Sequence, residues 1–538
     1  MTVDAIVIGS GPNGLVAANQ LTDAGWDVVV LEAQPEPGGA VRTAEFTAPG
    51  YRSDMFSAFY PLSAASKVIG GLHLEDHGLR WLRAPAALAT PTPDGRCAVI
   101  GGSVEETAES LDAYAAGDGD GWRRLMEPWH RVGEEFLDAL LQPFPPVRPA
   151  LRLVRRAGGR GTVDLARMAL LTARRMGEEL FAGQGGRLLV ASNALHSDLG
   201  PEAAAGGLFG WLLCALAQVV GFPEPEGGAG GLTDALVRRL TAGGGQLRCS
   251  APVAAITVAG GRATGVRLAS GETVEARRAV LADVAAPALY RSLLGPGVVP
   301  RRLLDDLERF QWDMATVKVD WALSAPVPWA AEGARRACTV HVADSVDSLT
   351  RWSADLACST VPAQPFLLVG QHAMTDPTRM PPGCETAWAY THVPRDIRAD
   401  ALGRITGRWD DADTSAMLER IEDRIESRAP GFRDLVVGRH VMTPPGLQGN
   451  DGNLDWGAIN GGTAALHQQL VFRPVPGLAR PETFLDGLYL ASAGMHPGGG
   501  VHGSCGANAA SAALAAAPVR FAWRHAQERV RRGRPLGP

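Results

Sequence analysis

The first apolar run of the chain, Ala5-Ile6-Val7-Ile8, is short and unbroken, the pattern of a parallel strand covered on both faces. A glycine turn follows, then apolar residues at helical spacing from Leu15 to Ala24, closed by Gly25. Val28-Val29-Val30-Leu31 repeats the strand pattern, so the opening of the chain predicts a β-α-β unit with a right-handed crossover. From about 76 to 224 helical periodicity dominates, broken by Pro143, Pro145, Pro146 and Pro149. An arginine-studded stretch follows this break, from Arg152 to Arg175. After Gly227-Gly228-Ala229-Gly230-Gly231-Leu232, the pattern predicts a helix over Thr233–Thr241. Alternating strands come next at Val253–Val258, Ala263–Leu268 and Thr273–Ala276, split by Gly260-Gly261 and Ser270-Gly271 into a meander. Ala279–Ala282 reads as a further buried strand. Between 291 and 479 the signal is mixed, with strands at Thr316–Leu323, Pro365–Gly370 and Glu385–Tyr390 and a helix near Thr414–Arg428. A strand at Gly487–Ala491, a glycine loop and an alanine-rich helix at Gly506–Ala516 close the pattern.

The turn between the first strand and helix is Gly9-Ser10-Gly11-Pro12-Asn13-Gly14, a G-x-G-x-x-G. Its first glycine makes the turn, its second lets backbone approach a pyrophosphate, and its third lets helix and strand pack closely. Free N–H groups and the dipole at the helix N-terminus suit phosphate charge. Glu32, followed by Ala33, ends the second strand, where an acid binds a ribose hydroxyl and disfavours a 2′-phosphate. Gly38, Gly39 and Ala40 then allow a second close approach, and Arg42 is placed to pair with phosphate or reach over the cofactor; a plain glycine turn is the alternative. No second G-x-G-x-x-G follows a strand, so one dinucleotide is expected to be held. The fold class is therefore α/β: a Rossmann-type domain built from discontinuous segments, with an inserted α+β substrate domain. The dinucleotide segments are 1–75, 225–290 and 480–518. A mostly helical substrate or cap region spans 76–224, a mixed-sheet substrate region 291–479, and a basic tail 519–538.

The balance of charges excludes several classes. A net charge of -6 gives no reason to expect nucleic-acid binding. Seven scattered cysteines without a C-x-x-C argue against a disulfide framework, a zinc or other metal site, and a redox-active dithiol, and suit a reducing cytoplasm. The N-terminus has no basic leader and is not expected to be a secretory signal. Ala203–Phe222 lacks charge and is long enough to span a membrane, but its glycines and Gln218 favour a buried helix. The Arg-rich 152–175 stretch and the basic tail are candidate contacts with an anionic membrane surface, with solvated faces as the alternative.

Before the last helix lies Ala493-Gly494-Met495-His496-Pro497-Gly498-Gly499-Gly500-Val501-His502-Gly503, a second helix-N-terminal dipole site. His496 and His502 are open to two readings, cofactor neighbours that donate protons or turn residues. Cys505 reads as a buried thiol rather than an attachment point.

Together, the Gly9–Gly14 loop, Glu32 with Gly38-Gly39, Gly230-Gly231-Leu232, Phe472-Arg473-Pro474 and Leu488 through Gly503 resemble the phytoene desaturase-like flavoproteins. The resemblance includes the branch of pyridine nucleotide-disulphide oxidoreductase domain proteins without redox cysteines. It implies non-covalent FAD, with Val253 presenting backbone to the adenine and Gly494, Gly499, Gly500 and Val501 against the flavin. It also implies hydride transfer between a substrate C–H and flavin N5, on an isoprenoid or polyene chain. Lys318 is a candidate for contact with the flavin or a water near N5, against a neutralised structural role. His372, Tyr390 and His392 are candidates for lining the cavity. The competing readings are a polyene reductase or cyclase, an amine oxidase-like flavoenzyme, which would want an aromatic pair at the flavin, and a non-catalytic lipid- or prenyl-binding protein.

Overall fold

A computed structural model describes residues 1–516, so the expected basic tail at 519–538 lies outside the described residues. In chain order, the strands of the two main sheets are β1 (Thr2–Ile8), β2 (Val28–Leu31), β3 (Ala86–Pro91), β4 (Cys97–Ile100), β5 (Gln246–Arg248), β6 (Val253–Ala259) and β7 (Arg262–Leu268). They continue as β8 (Thr273–Ala282), β9 (Ala315–Leu323), β10 (Ala337–Val342), β11 (Leu367–Gln371), β12 (Glu385–Val393), β13 (Val436–Met442) and β14 (Leu488–Leu490).

The first sheet runs β6-β7-β8-β1-β2-β5, with β14 paired beside β8. β5, β2, β1, the end of β8 and β14 are all parallel, and they come from three separated stretches of chain. Their unbroken apolar runs are buried on both faces. Helices Pro12–Asp23 and Gly230–Ala242 cover one side, and the other packs on Leu289, Tyr290 and Leu303. The third meander strand does not end at Ala276. It runs on through Arg277 and Arg278 into Ala279–Ala282, so two expected strands are one. Two arginines with no glycine between them interrupt the apolar pattern without turning the chain.

The second sheet runs β13-β9-β12-β11-β10-β3-β4 and is antiparallel except where β3 meets β10. β3 and β4 lie in the stretch whose periodicity reads as helical. Ala86-Ala87-Leu88-Ala89 carries no strand propensity of its own and is extended because β10 and β4 pair with it on either side. One face of this sheet packs on helix Asp411–Glu426. The other packs on helices Asp118–Leu141, Ala173–Leu180, Gln184–Ala194 and Gly206–Val219. Gly206–Val219, inside the charge-free stretch, is almost wholly buried, and its glycines allow close approach: a Cβ on Gly210 would lie 2.5 Å from the Val190 carbonyl oxygen. Among the described residues no helix is long and apolar enough to cross a membrane.

Candidate functional site

The opening loop is built by contact. Gly9 holds φ at 93°, a left-handed turn that a side chain rarely adopts. A Cβ on Gly14 would sit 2.3 Å from the Gly9 carbonyl oxygen, so the helix starts hard against the strand. Pro12 and Asn13 open that helix after an extended Gly11. Glu32 is buried at the end of β2; its Oε2 accepts from the Ser10 amide at 2.8 Å and hydroxyl at 2.6 Å, and its Oε1 from the Gln34 amide at 2.9 Å. The acid expected at a ribose thus also braces the loop. Ala33, next to it, is exposed. Backbone bonds from Ser250 to Gln34 and from Ala251 to Glu32 lay the start of β6, with Val253, beside this strand end. Gly38 and Gly39 return to the loop: the Gly38 amide reaches Ser10, and a Cβ on Gly39 would lie 3.2 Å from Gly11 Cα. Arg42 donates to the Gly39 and Asn450 carbonyls, both at 2.9 Å, and lies over Phe56, while the Ala40 carbonyl accepts from Ser57.

Asp283, just past the end of β8, had no part in the sequence reading. Its carboxylate accepts the Gly14 amide at 2.8 Å and lies 2.8 Å from where a Gly11 Cβ would be. Burial raises it to about 7; the Gly14 bond opposes this, and Asp451 and Glu32 add to it. An acid ending a buried strand next to the glycine strand is a signal that could have been read.

The distant end of the chain meets this loop. A Cβ on Gly506 would lie 1.8 Å from the Asn13 carbonyl oxygen, and one on Gly503 2.9 Å from Val16. Ser63 bonds the Val501 carbonyl, and Ser66 donates to that of His502 at 2.7 Å. His502 is a staple within its own loop: Nδ1 accepts the Ser504 amide at 3.0 Å and Nε2 faces the Gly498 carbonyl at 3.1 Å. His496 faces the Gln142 carbonyl through Nε2 at 3.1 Å, and its Nδ1 is buried with no hydrogen-bond partner among the described residues. Burial lowers both imidazoles to about 4, so both are neutral at pH 7. The Cys505 thiol, pushed up to about 12 by burial, is inert.

Arg473 is fully buried, and its guanidinium donates only to carbonyls: Ala493, Asn460, Gly462 and Thr463. It ties the Asn460–Thr463 loop to the Ala493–Gly499 loop. A Cβ on Gly461 would meet the Ala493 carbonyl carbon at 3.1 Å, one on Gly494 the Ala286 amide at 3.2 Å, and one on Gly499 Asn460 Oδ1 at 3.2 Å. One on Gly500 would run into Leu62 at 2.6 Å. Asn13 Oδ1, Asn460 Nδ2 and His496 Nδ1, all on these loops, are buried without partners among the described residues. Closely packed glycine loops from both ends of the chain, carrying orphaned buried polar atoms, fit a dinucleotide.

The second sheet presents Trp388, Tyr390 and His392 on one face of β12, as its period of two requires. Trp388 and Tyr390 stack at 6.0 Å and 13°, Tyr390 meets His392 edge-on at 5.5 Å, and Phe59 tilts against Trp388 at 5.7 Å. His392 pairs with Asp198 at 2.8 Å and Thr316 at 3.2 Å. Burial would lower its pKa, but Asp198 and Asp313 outweigh burial and hold it above the ordinary value.

Lys318 is not free. Its ammonium is clasped by the Asp320 carboxylate and donates to the Asp54 carbonyl at 2.8 Å, all within the core. Beside it, Asp54 and Glu224 hold the guanidinium of Arg379 at 3.0 and 2.8 Å. His372 faces Glu224 through Nδ1 at 2.6 Å and accepts from Trp388 through Nε2 at 3.1 Å. Asp54, Glu224 and His372 cluster as metal ligands do, but Arg379 already supplies the positive charge between the two carboxylates. Burial raises Glu224 to about 8 despite Arg379.

Residues 13–364 match the family model described as flavin containing amine oxidoreductase. The chain is 29% identical to pyridine nucleotide-disulfide oxidoreductase domain-containing protein 2 of Rattus norvegicus, over 94% of this chain and 92% of that protein. It is 26% identical to a lycopene-forming phytoene desaturase of Pseudescherichia vulneris, over 95% of this chain and 98% of that one. The fold is similar to that of an oxidoreductase from Methanosarcina mazei, with a TM-score of 0.63 at 16% identity, covering 96% of this chain and all of that one.

Proposed function

Because the chain belongs to the flavin containing amine oxidoreductases and is an FAD-dependent enzyme, we propose that it is a desaturase- or dehydrogenase-type member acting on an apolar isoprenoid or polyene substrate. Bound FAD supplies hydride chemistry at N5. The protein's part is to hold, orient and dry the two partners. The Gly9–Gly14, Gly38–Gly39 and Gly498–Gly500 backbones hold the dinucleotide, with Glu32 at the ribose and the neutral His496 within the C-terminal loop.

One observation carries the choice of substrate. The helix–sheet interface carries Tyr390, Phe59, Leu62, Leu208 and Met314, all apolar or aromatic and part-buried against a large core that includes Trp388, and the charges among them are paired. Such a surface strips water from a hydrocarbon and leaves an amine without a countercharge. The stacked Trp388–Tyr390 pair favours a second reading, oxidation of an amine against an aromatic pair. Anaerobic mixing of the FAD-loaded protein with phytoene in liposomes, and separately with putrescine, decides between them. Bleaching of the flavin band by the polyene alone is expected; bleaching by the amine alone refutes the reading.

The surface fits a lipophilic substrate. Helix Val147–Met168 exposes Val147, Leu151 and Val154 by 59%, 60% and 47%, a stripe at helical spacing among Arg148, Arg152, Arg155 and Arg156. The linker before it touches the C-terminal loop through Gln142 and Phe144. This helix docks on an anionic membrane surface and brings the site to the lipid that carries the substrate.

A further inference from the structure

A chain of three side chains, Ser192 and His341 buried and His196 part-buried, links helix Gln184–Ala194 and the turn after it to β10. Ser192 Oγ lies 2.7 Å from the Leu188 carbonyl oxygen and 2.7 Å from His341 Nδ1. Two oxygens at that distance need a proton between them, and only the Ser192 hydroxyl can supply it. His341 therefore donates from Nδ1 to Ser192. Burial, and then His196, hold His341 well below the ordinary imidazole value, so it is neutral and its Nε2 is a bare lone pair. His196 Nε2, 2.9 Å away, must donate to it. Burial and the charge of His392 lower His196 to about 3. The proton of His196 is thus fixed on Nε2, and Nδ1 can only accept.

That nitrogen has no hydrogen bond among the described residues. The ring is part-exposed although it packs between Phe222 at 6.0 Å and His341 at 5.0 Å. Tyr390, Met314 and Leu208 are part-buried at the same helix–sheet interface, and Asp198 and His392 lie beside it. His196 Nδ1 is therefore a fixed, neutral acceptor beside the apolar residues of this interface.

We propose that His196 Nδ1 anchors a hydroxyl group of the substrate, so that the site selects a lipophilic alcohol over the matching hydrocarbon or ether. This deepens the isoprenoid reading and rests on it. An ammonium group is a poor match, because a neutral imidazole cannot offset its charge. Asp198, the carboxylate at hand, is committed to His392 and to the Met314 amide at 3.1 Å.

The test is tryptophan-fluorescence titration of the FAD-loaded protein with geranylgeraniol and with its methyl ether. The native protein should bind the alcohol about tenfold more tightly, the size of one buried hydrogen bond. His196→Phe should abolish the preference by weakening the alcohol alone, and His196→Gln, which keeps an acceptor, should retain part of it. Ser192→Ala frees the tautomers and should reduce it without moving the ether. Equal binding of both probes by the native protein, or a preference that survives in His196→Phe, overturns the assignment and leaves the isoprenoid reading standing. Binding of neither probe overturns both.

Discussion

Replacing Gly506 with Ala tests whether the two ends of the chain act as one binding surface. The added Cβ would fall 1.8 Å from the Asn13 carbonyl oxygen, where real contacts do not go below 3.0 Å, so the elements must part by about 1 Å. Neither side yields easily. The loop is braced by Glu32 on Ser10 and Asp283 on Gly14, and the helix by Ser66 and His502. Overpacking of this kind costs about 1–3 kcal/mol, and here it is spent separating the two halves of the dinucleotide cradle. At about 1.4 kcal/mol per tenfold, FAD should bind roughly 10- to 100-fold more weakly. The ratio of flavin to protein absorbance after purification, and calorimetric titration of the apoprotein with FAD, read this directly. Gly159→Ala, at a glycine with nothing within 4 Å, is the control and should keep its flavin. Stoichiometric FAD with unchanged affinity in Gly506→Ala would mean that the contact has no bearing on the cofactor.

Gly11→Val should give colourless protein, because its side chain is driven into Asp283 Oδ2; retained yellow colour on the purified protein refutes the assignment. Asp283, raised to about 7, stabilises the fold fully below the ordinary carboxyl range, and that contribution is lost as pH rises through 7. A diphosphate beside it favours the protonated form, so FAD affinity should fall between pH 6 and 8, roughly the span of this titration, and Asp283→Asn should flatten the profile. A flat native profile, measured by titrating FAD at both pH values, counts against it. Lys318→Met leaves the buried Asp320 carboxyl without its partner and should cost about 3–5 kcal/mol in urea unfolding, most of it recovered in Lys318→Met/Asp320→Leu. Leu151→Asp with Val154→Asp should abolish cosedimentation with anionic liposomes and leave FAD content unchanged; unaltered cosedimentation removes helix Val147–Met168 from the interface.

The dinucleotide half was legible because its chemistry is carried by backbone. Glycines at fixed offsets from unbroken apolar strands report where main chain must approach something, and that pattern survives in one sequence. The second sheet was less legible. Ala86–Pro91 is a strand because Ala337–Val342 and Cys97–Ile100 pair with it on either side, and nothing in its composition says so. The partners of Asp283 and Arg473 and the Ser192–His341–His196 chain were hidden for the same reason. Each acts across a separation set by the fold, such as the 269 positions between Gly14 and Asp283 or the 149 between Ser192 and His341. Lys318 and His502 were visible as residue types, but only their partners showed that one is neutralised and the other is a staple.

The imidazoles bear on what kind of catalysis the site can support. His496 and His502 are held at about 4 and His196 at about 3, and burial keeps His341 and His372 below the ordinary value. A general acid works best when its pKa lies near the working pH, and groups this low are unprotonated at pH 7. His392, the one of these rings held above the ordinary value, is closed on both sides by Asp198 and Thr316. A buried site whose histidines are short of available protons is poorly suited to chemistry in which an imidazole must protonate the substrate. It suits a reaction in which the hydrogen leaves carbon with its electron pair and the protein supplies shape, dryness and a fixed acceptor.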